Sequence, residues 1–168
     1  MPFNLLKRSN QTLDLLPFNE KERILSLKGV FNRDIVQNSN FCFRSKKIFP
    51  TTAEGQDAME RLFSHLTTIV VEKETQKREY DADRSIRLHW IKYHIEENKK
   101  DQMYVFSVQE PQGIRTYIYD KVENYVIVLE PMRNGKGYYL LTAYYMKGKD
   151  AARNKMMRKY RRKLDSLL

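Results

Sequence analysis

Between residues 103 and 146, four runs rich in β-branched and aromatic side chains follow one another: Met103 to Val108, Ile114 to Tyr119, Tyr125 to Glu130 and Gly137 to Met146. Turn-forming stretches separate them, first Pro111 and Gly113, then Asp120 to Asn124, then Pro131 to Lys136 with its Asn-Gly pair. Connections of about five to seven residues are too short for the crossover that a parallel pair needs, so the segment predicts an antiparallel meander. Helical stripes flank it. Asp57 to Leu66 places Met59, Leu62, Phe63 and Leu66 on one face. Asp81 to about Glu97 can be capped by Asp81 or Asp83, and about Lys149 to Leu164 carries Ala152, Met156, Tyr160 and Leu164 at a spacing of four. Thr67 to Val71 reads as one more strand, and the charged run Glu72 to Tyr80 as a solvated connection. The expected fold is α+β, with helices packed on a four-stranded antiparallel sheet and a basic C-terminal helix. Residues 1–56, punctuated by Pro17, Gly29, Pro50 and Gly55, read as an irregular and partly helical extension packed on a main domain of residues 57–168.

Composition narrows the function. The 168-residue chain is 41% hydrophobic and carries a net charge of +10. That apolar content suits a single globular core rather than disorder. No run approaches the roughly 18 apolar residues of a membrane span, and the first residues lack the apolar core of a secretory signal, so a cytoplasmic protein with no membrane partner is expected. Cys42 is the only cysteine and there are three histidines. A disulfide framework and a zinc cluster are therefore not expected, nor is any other cofactor. The positive charge is concentrated: from Lys147 onward Lys147, Lys149, Arg153, Lys155, Arg158, Lys159, Arg161, Arg162 and Lys163 face only Asp150 and Asp165. Such uncompensated repulsion calls for an anionic partner. The apolar stripe is too light for a good interfacial anchor, which favours nucleic acid over a membrane surface.

The segment from Arg84 to Glu97, read as one helix at about 100° per residue, has two apolar faces. Arg84 falls among Leu88, Ile91 and Ile95, and reads equally as a buried ion pair, for example with Glu130, or as a phosphate ligand. Arg87 and His94 fall side by side near Trp90. A guanidinium beside an imidazole suits phosphoryl chemistry, while His94 alone reads as a satisfied core-edge imidazole. His89 reads as a solvated surface histidine and His65 as a cation favoured at its helix end. Alternation along the strands puts Arg115, Tyr117 and Tyr119 on one face. That is either a cation-and-ring platform for nucleic acid or an ordinary amphipathic strand. Thr142 shares a face with Tyr138, Leu140 and Tyr144, and Tyr145 lies on the other.

The succession RSIRLHWI, IRTYIY, YVIVLEPMR and YYLLTAYYMKGK followed by a basic helix resembles the phage-barnase, EndoU, colicin and RelE-like (BECR-fold) nuclease domains of prophages, mobile elements and toxin systems. The resemblance covers roughly half the chain, from about Asp81 onward. It implies metal-independent cleavage of RNA, often tRNA or translated mRNA, by attack of a ribose 2′-OH. A protein inhibitor of antitoxin type is the partner that a toxin implies. Matched residue by residue, the helix motif R-x-x-R-x-x-W falls on Arg84, Arg87 and Trp90, the polar pair of the second strand on Arg115 and Thr116, and the last-strand threonine on Thr142. The expected roles are phosphorane clamps for Arg87 and Arg115, base or acid for His94, and a hydrogen bond to phosphate from Thr142 or Tyr145. Arg84 joins them as a further cation, with the basic helix on the RNA backbone. The competing expectation is a non-catalytic RNA- or DNA-binding protein that uses the same basic surface.

Overall fold

The computed structural model describes residues 2–8, 11–98, 100–147 and 150–168, with the side chains of 2, 3 and 150–153 outside the description. Asn19 opens the first helix, α1 (Glu20–Phe31), with a capping box: its side chain accepts from the Glu22 N–H, and the Glu22 carboxylate accepts from the Asn19 N–H. The chain continues through a π-turn over Asn32–Val36 into two short strands, β1 (Cys42–Phe43) and β2 (Lys46–Pro50). Helix α2 (Ala58–Thr67) is capped by Asp57, and β3 (Thr68–Glu72) and β4 (Lys77–Tyr80) form a hairpin behind it. Next come α3 (Ala82–Ser85), α4 (Trp90–Ile95) and the meander β5 (Met103–Glu110), β6 (Gly113–Asp120), β7 (Tyr125–Pro131) and β8 (Gly137–Tyr145), followed by α5 (Asp150–Arg161).

The chain is α+β, but the expected four-stranded antiparallel sheet is corrected in number and direction. The main sheet has six strands in the order β1-β2-β8-β7-β6-β5, with β2 parallel to β8 and every other neighbour antiparallel; β3 and β4 make a separate two-stranded sheet. Residues 1–56 therefore contribute two strands to the main sheet. Lys46 to Pro50 is too short to show a period, and its partner lies some ninety residues away, so nothing local marks it as a strand. The charged run expected as a connection contains β4. Its side chains alternate between exposed and half-buried, so the strand carries no apolar signal. The expected continuous helix from Asp81 to about Glu97 is also corrected. Asp81 does cap its start, but residues 86–89 form turns that separate α3 from α4.

Each face of the main sheet is covered. On one, Ile118, Ile127, Leu129 and Leu140 pack with Leu27, Val30, Leu62, Leu66, Trp90 and Ile91 from the helices. On the other, Phe106, Tyr117, Tyr119 and Val126 pack with Met156 and Tyr160 of α5. The β5 and β6 side of this second face is closed by α5, whereas Leu141, Thr142 and Tyr144 of β8 are only half-buried.

Two features coincide in the middle of β8. The parallel pairing with β2 stops at Pro50 opposite Leu140, and Leu141 is an extra residue between the pairs Leu129 with Leu140 and Val128 with Thr142. Beyond that point no strand among the described residues pairs with this edge of β8, and α2 and α3 pack against the strand. Entry to the parallel pair requires Gly137, because a Cβ there would lie 2.7 Å from the Lys47 carbonyl oxygen. Gly137→Ala should lower stability by about 1–3 kcal/mol in chemical denaturation, the usual cost of forcing extra volume into a packed contact. Unchanged stability would show that β2 is not seated this closely.

Candidate functional site

The free edge of β8 is lined by basic side chains from three elements. Arg84 of α3 donates through Nη1 to the Thr142 hydroxyl at 3.0 Å and to the His65 carbonyl at 2.9 Å, with the Thr68 carbonyl at 3.4 Å. Arg78 of β4 donates to the Thr68 hydroxyl at 2.8 Å and to the same Thr68 carbonyl at 2.9 Å. Two guanidiniums thus converge on one peptide oxygen. Arg61, one turn before His65 on α2, donates to the Thr51 hydroxyl. None of the three forms an ion pair with a carboxylate among the described residues; Asp81, the cap of α3, is the acidic group that acts on Arg84 from nearby. Burial pulls Arg78 below its ordinary range, and the guanidiniums of Arg84 and Arg61 add to the effect. Arginine stays charged regardless, so the repulsion is stored in the fold.

His65 sits in this group. Its imidazole lies near the backbone of Leu141, at the bulge. Burial lowers its pKa first, and Arg78, Arg61 and Arg84 lower it further against the raising effect of the Leu141 backbone. The ring is therefore neutral at pH 7. A neutral imidazole keeps one nitrogen with a lone pair, which is the form a general base requires.

The residues singled out from sequence separate into two groups. Arg84 meets Thr142, and Arg87 meets Tyr145 on the opposite face of β8. Arg87 stacks over the Tyr145 ring at 3.7 Å and donates to the Asp83 carbonyl at 2.9 Å; its Nε is buried without a partner. Lys147 lies beyond, paired with Asp83 at 3.0 Å. The ion pair considered for Arg84 with Glu130 is absent, since Glu130 lies 3.6 Å from Arg115. Arg115 shares a sheet face with Thr142 but stands two strands away, half-buried.

His94 is elsewhere. It is 0% exposed, with Nδ1 on the Trp90 carbonyl at 2.7 Å and Nε2 on Asp120 at 2.8 Å, so both nitrogens are occupied inside the core. Burial raises the Asp120 pKa, but hydrogen bonds from His94, the Glu123 N–H and Gln102 outweigh it and hold the carboxylate below its ordinary range. The expected stacking platform is also corrected: Tyr117 and Tyr119 are 5% and 2% exposed, sealed under α5. Their rings fill core volume, and the Tyr117 hydroxyl donates to Glu110. His89 is 0% exposed rather than solvated, with Nε2 on the Arg8 carbonyl at 2.8 Å.

On the basic helix, Lys155, Arg158 and Arg161 are exposed, as is Arg162 just after it, while Lys159 pairs with Glu110. Lys149 lies outside the described residues, as does the side chain of Arg153. His65, Arg61 and Arg78 were not among the expected site residues. Arg61 and His65 are four apart, on the flank of the Leu62 and Leu66 stripe, which is the one signal in the sequence that pairs them. A cleft of about 570 Å³ lined by Leu13, Leu15, Phe18, Tyr80 and Ile86 is more enclosed in chemistry, being largely apolar, but includes none of the cationic cluster.

Among the described residues no group of three or more His, Cys, Asp or Glu is placed to share a metal ion, and no helix is long and apolar enough to cross a membrane. No family model, curated protein or solved structure matches the chain.

The neutral imidazoles have a consequence for stability. Burial lowers the pKa of both His65 and His89 in the folded protein, so on acidification the unfolded chain binds protons first. Stability should be complete above pH 6.5, the ordinary histidine value, and should fall as the pH drops below it. Thermal melts at pH 7.5 and 5.5 check this, and His65→Gln should flatten the dependence. A melting temperature that rises on acidification would contradict the electrostatic description.

Proposed function

We propose that the chain is a metal-independent endoribonuclease whose reaction centre is the free edge of β8. The observation that carries this reading is the His65 imidazole set among Arg61, Arg78 and Arg84, none of which is ion-paired with a carboxylate among the described residues. Uncompensated guanidiniums are a costly arrangement that an incoming phosphate would relieve. A neutral base beside fixed cations is what 2′-OH attack needs: His65 takes the 2′ proton, the oxygen bonds to phosphorus, and Arg84 with the Thr142 hydroxyl steadies the growing negative charge. The bond to the 5′ oxygen then breaks, and that oxygen is protonated by solvent or by the Tyr144 phenol, whose ring lies 5.8 Å from the Arg84 guanidinium. Arg87, braced against Tyr145, supplies cationic charge one step along the strand.

The resemblance to BECR-fold nucleases points the same way for Arg84, Arg87 and Thr142, but the base is reassigned from His94 to His65. RNA, tRNA included, is the substrate class, and a protein inhibitor accompanies the toxin form of the reading.

A second reading, a non-catalytic RNA- or DNA-binding protein, is favoured by the exposed Lys155, Arg158 and Arg161 on α5 and Arg162 just after it, which can hold a phosphate backbone without any chemistry. Incubation with total tRNA in EDTA separates the two. Cleavage to 2′,3′-cyclic phosphate ends is expected, with His65→Gln lowering the rate by about 10²–10⁴. Retardation of intact RNA by the wild-type protein would leave the binding reading standing and remove the nuclease.

A further inference from the structure

The cations around His65 are arranged in a line. Thr51, which holds Arg61, directly follows Pro50, the residue opposite Leu140 of β8. His65 then meets Leu141, Arg84 meets Thr142 and Tyr144, Arg87 lies on Tyr145, and Lys147 follows past the end of the strand. Reading along β8 thus gives Arg61, His65, Arg84, Arg87 and Lys147 in order, with Arg78 beside Arg84. The stretch from Leu141 to Tyr145 alone covers about 13 Å at ~3.3 Å per residue. That is longer than one phosphate group, and only its middle is needed for the reaction proposed above.

Arg61 and Arg78 have donors to spare. Arg61 commits one nitrogen, to Thr51, and Arg78 commits two, both to Thr68. The remaining N–H groups of these half-buried side chains have no partner among the described residues. At the other end Asp83 sits between Arg87 and Lys147, at 3.8 Å and 3.0 Å, so the charge there is partly met. Arg78 shares the Thr68 carbonyl with Arg84, so its spare donors belong with that residue, and the unmet charge on the far side of His65 is that of Arg61.

Resting on the ribonuclease reading, we propose that Arg61 forms a phosphate subsite outside the cut, so that the preferred substrate is an internal phosphodiester of a single-stranded polynucleotide and not a dinucleotide or a terminal phosphate. The bond being cut lies at His65, Arg84 and Thr142. A neighbouring phosphate of the same strand lies on Arg61. A polynucleotide engages both positions at once, and a dinucleotide, which has only the scissile phosphate, engages one.

The test compares a dinucleotide with a tetranucleotide cut at its central bond, using Arg61→Gln and Arg61→Lys, each first checked for folding by thermal unfolding. Arg61→Gln should lower kcat/KM on the tetranucleotide about tenfold or more relative to the dinucleotide. The ratio cancels any change that the lost charge imposes on His65. Arg61→Lys, which keeps the charge, should restore most of that ratio. In parallel, the salt dependence of binding to a non-cleavable 2′-deoxy oligonucleotide should lose about 0.7 of a unit in log–log slope with Arg61→Gln, the single-strand value for one phosphate contact. Equal losses on dinucleotide and tetranucleotide would overturn the subsite and place Arg61 at the cut. Failure of the wild-type protein to cleave either substrate would remove the ribonuclease reading. The slope then decides alone: a reduced slope supports the phosphate row, and an unchanged slope overturns it.

Discussion

The parallel pairing of β2 with β8 ends halfway along β8, and the site depends on that ending. Pro50 has no N–H to offer a longer ladder, and Leu141 bulges immediately after the last pair. Had β2 continued, the edge from Leu141 to Tyr145 would be hydrogen-bonded to a strand. Instead α2 and α3 pack there and bring His65 to the Leu141 backbone and Arg84 to the Thr142 hydroxyl. The bulge turns a sheet edge, normally something a fold must hide, into a surface for side chains.

Electrostatics at this edge and in the core follow opposite rules. In the core, His94 is fully sequestered and paired with Asp120, whose other contacts are hydrogen bonds from Gln102 and two backbone N–H groups. Every polar atom of that carboxylate is met, as burial demands. At the β8 edge the converse holds: Arg61, Arg78 and Arg84 satisfy some donors with carbonyls and hydroxyls, which cancel no charge. The fold neutralises its buried carboxylate completely, yet leaves three neighbouring guanidiniums without a carboxylate ion pair among the described residues. On α5 the same distinction appears within one helix, since Lys159 is neutralised by Glu110 while Arg158 and Arg161 remain in solvent.

How much of this was legible in the sequence depended on whether the determining contacts were local. The meander β5 to β8 follows from alternation and turn residues, and it runs where those signals place it. Strands β1 and β2 do not show, because two and five residues carry no period and their partner is remote in sequence. The site was half legible. Arg84 contacts Thr142 and Arg87 contacts Tyr145, two contacts on opposite faces of β8. The pairing of Arg87 with His94, and the solvent exposure of His89, rested on a uniform 100° step through residues 84–97. That step fails where turns at 86–89 reset the rotation between α3 and α4. The Tyr117 and Tyr119 platform failed for a different reason. Alternation assigns residues to a face but does not say which face the C-terminal helix will cover.

The most direct test of the central claim is the titration of the His65 imidazole by NMR, in the free protein and with a 2′-deoxy oligonucleotide that cannot be cleaved. With burial and three guanidiniums acting on it, His65 should titrate below 6.5 when free, and its pKa should rise when a phosphodiester offsets those cations. A free His65 that titrates at or above 6.5, or one whose pKa is unmoved by saturating oligonucleotide, would contradict the account.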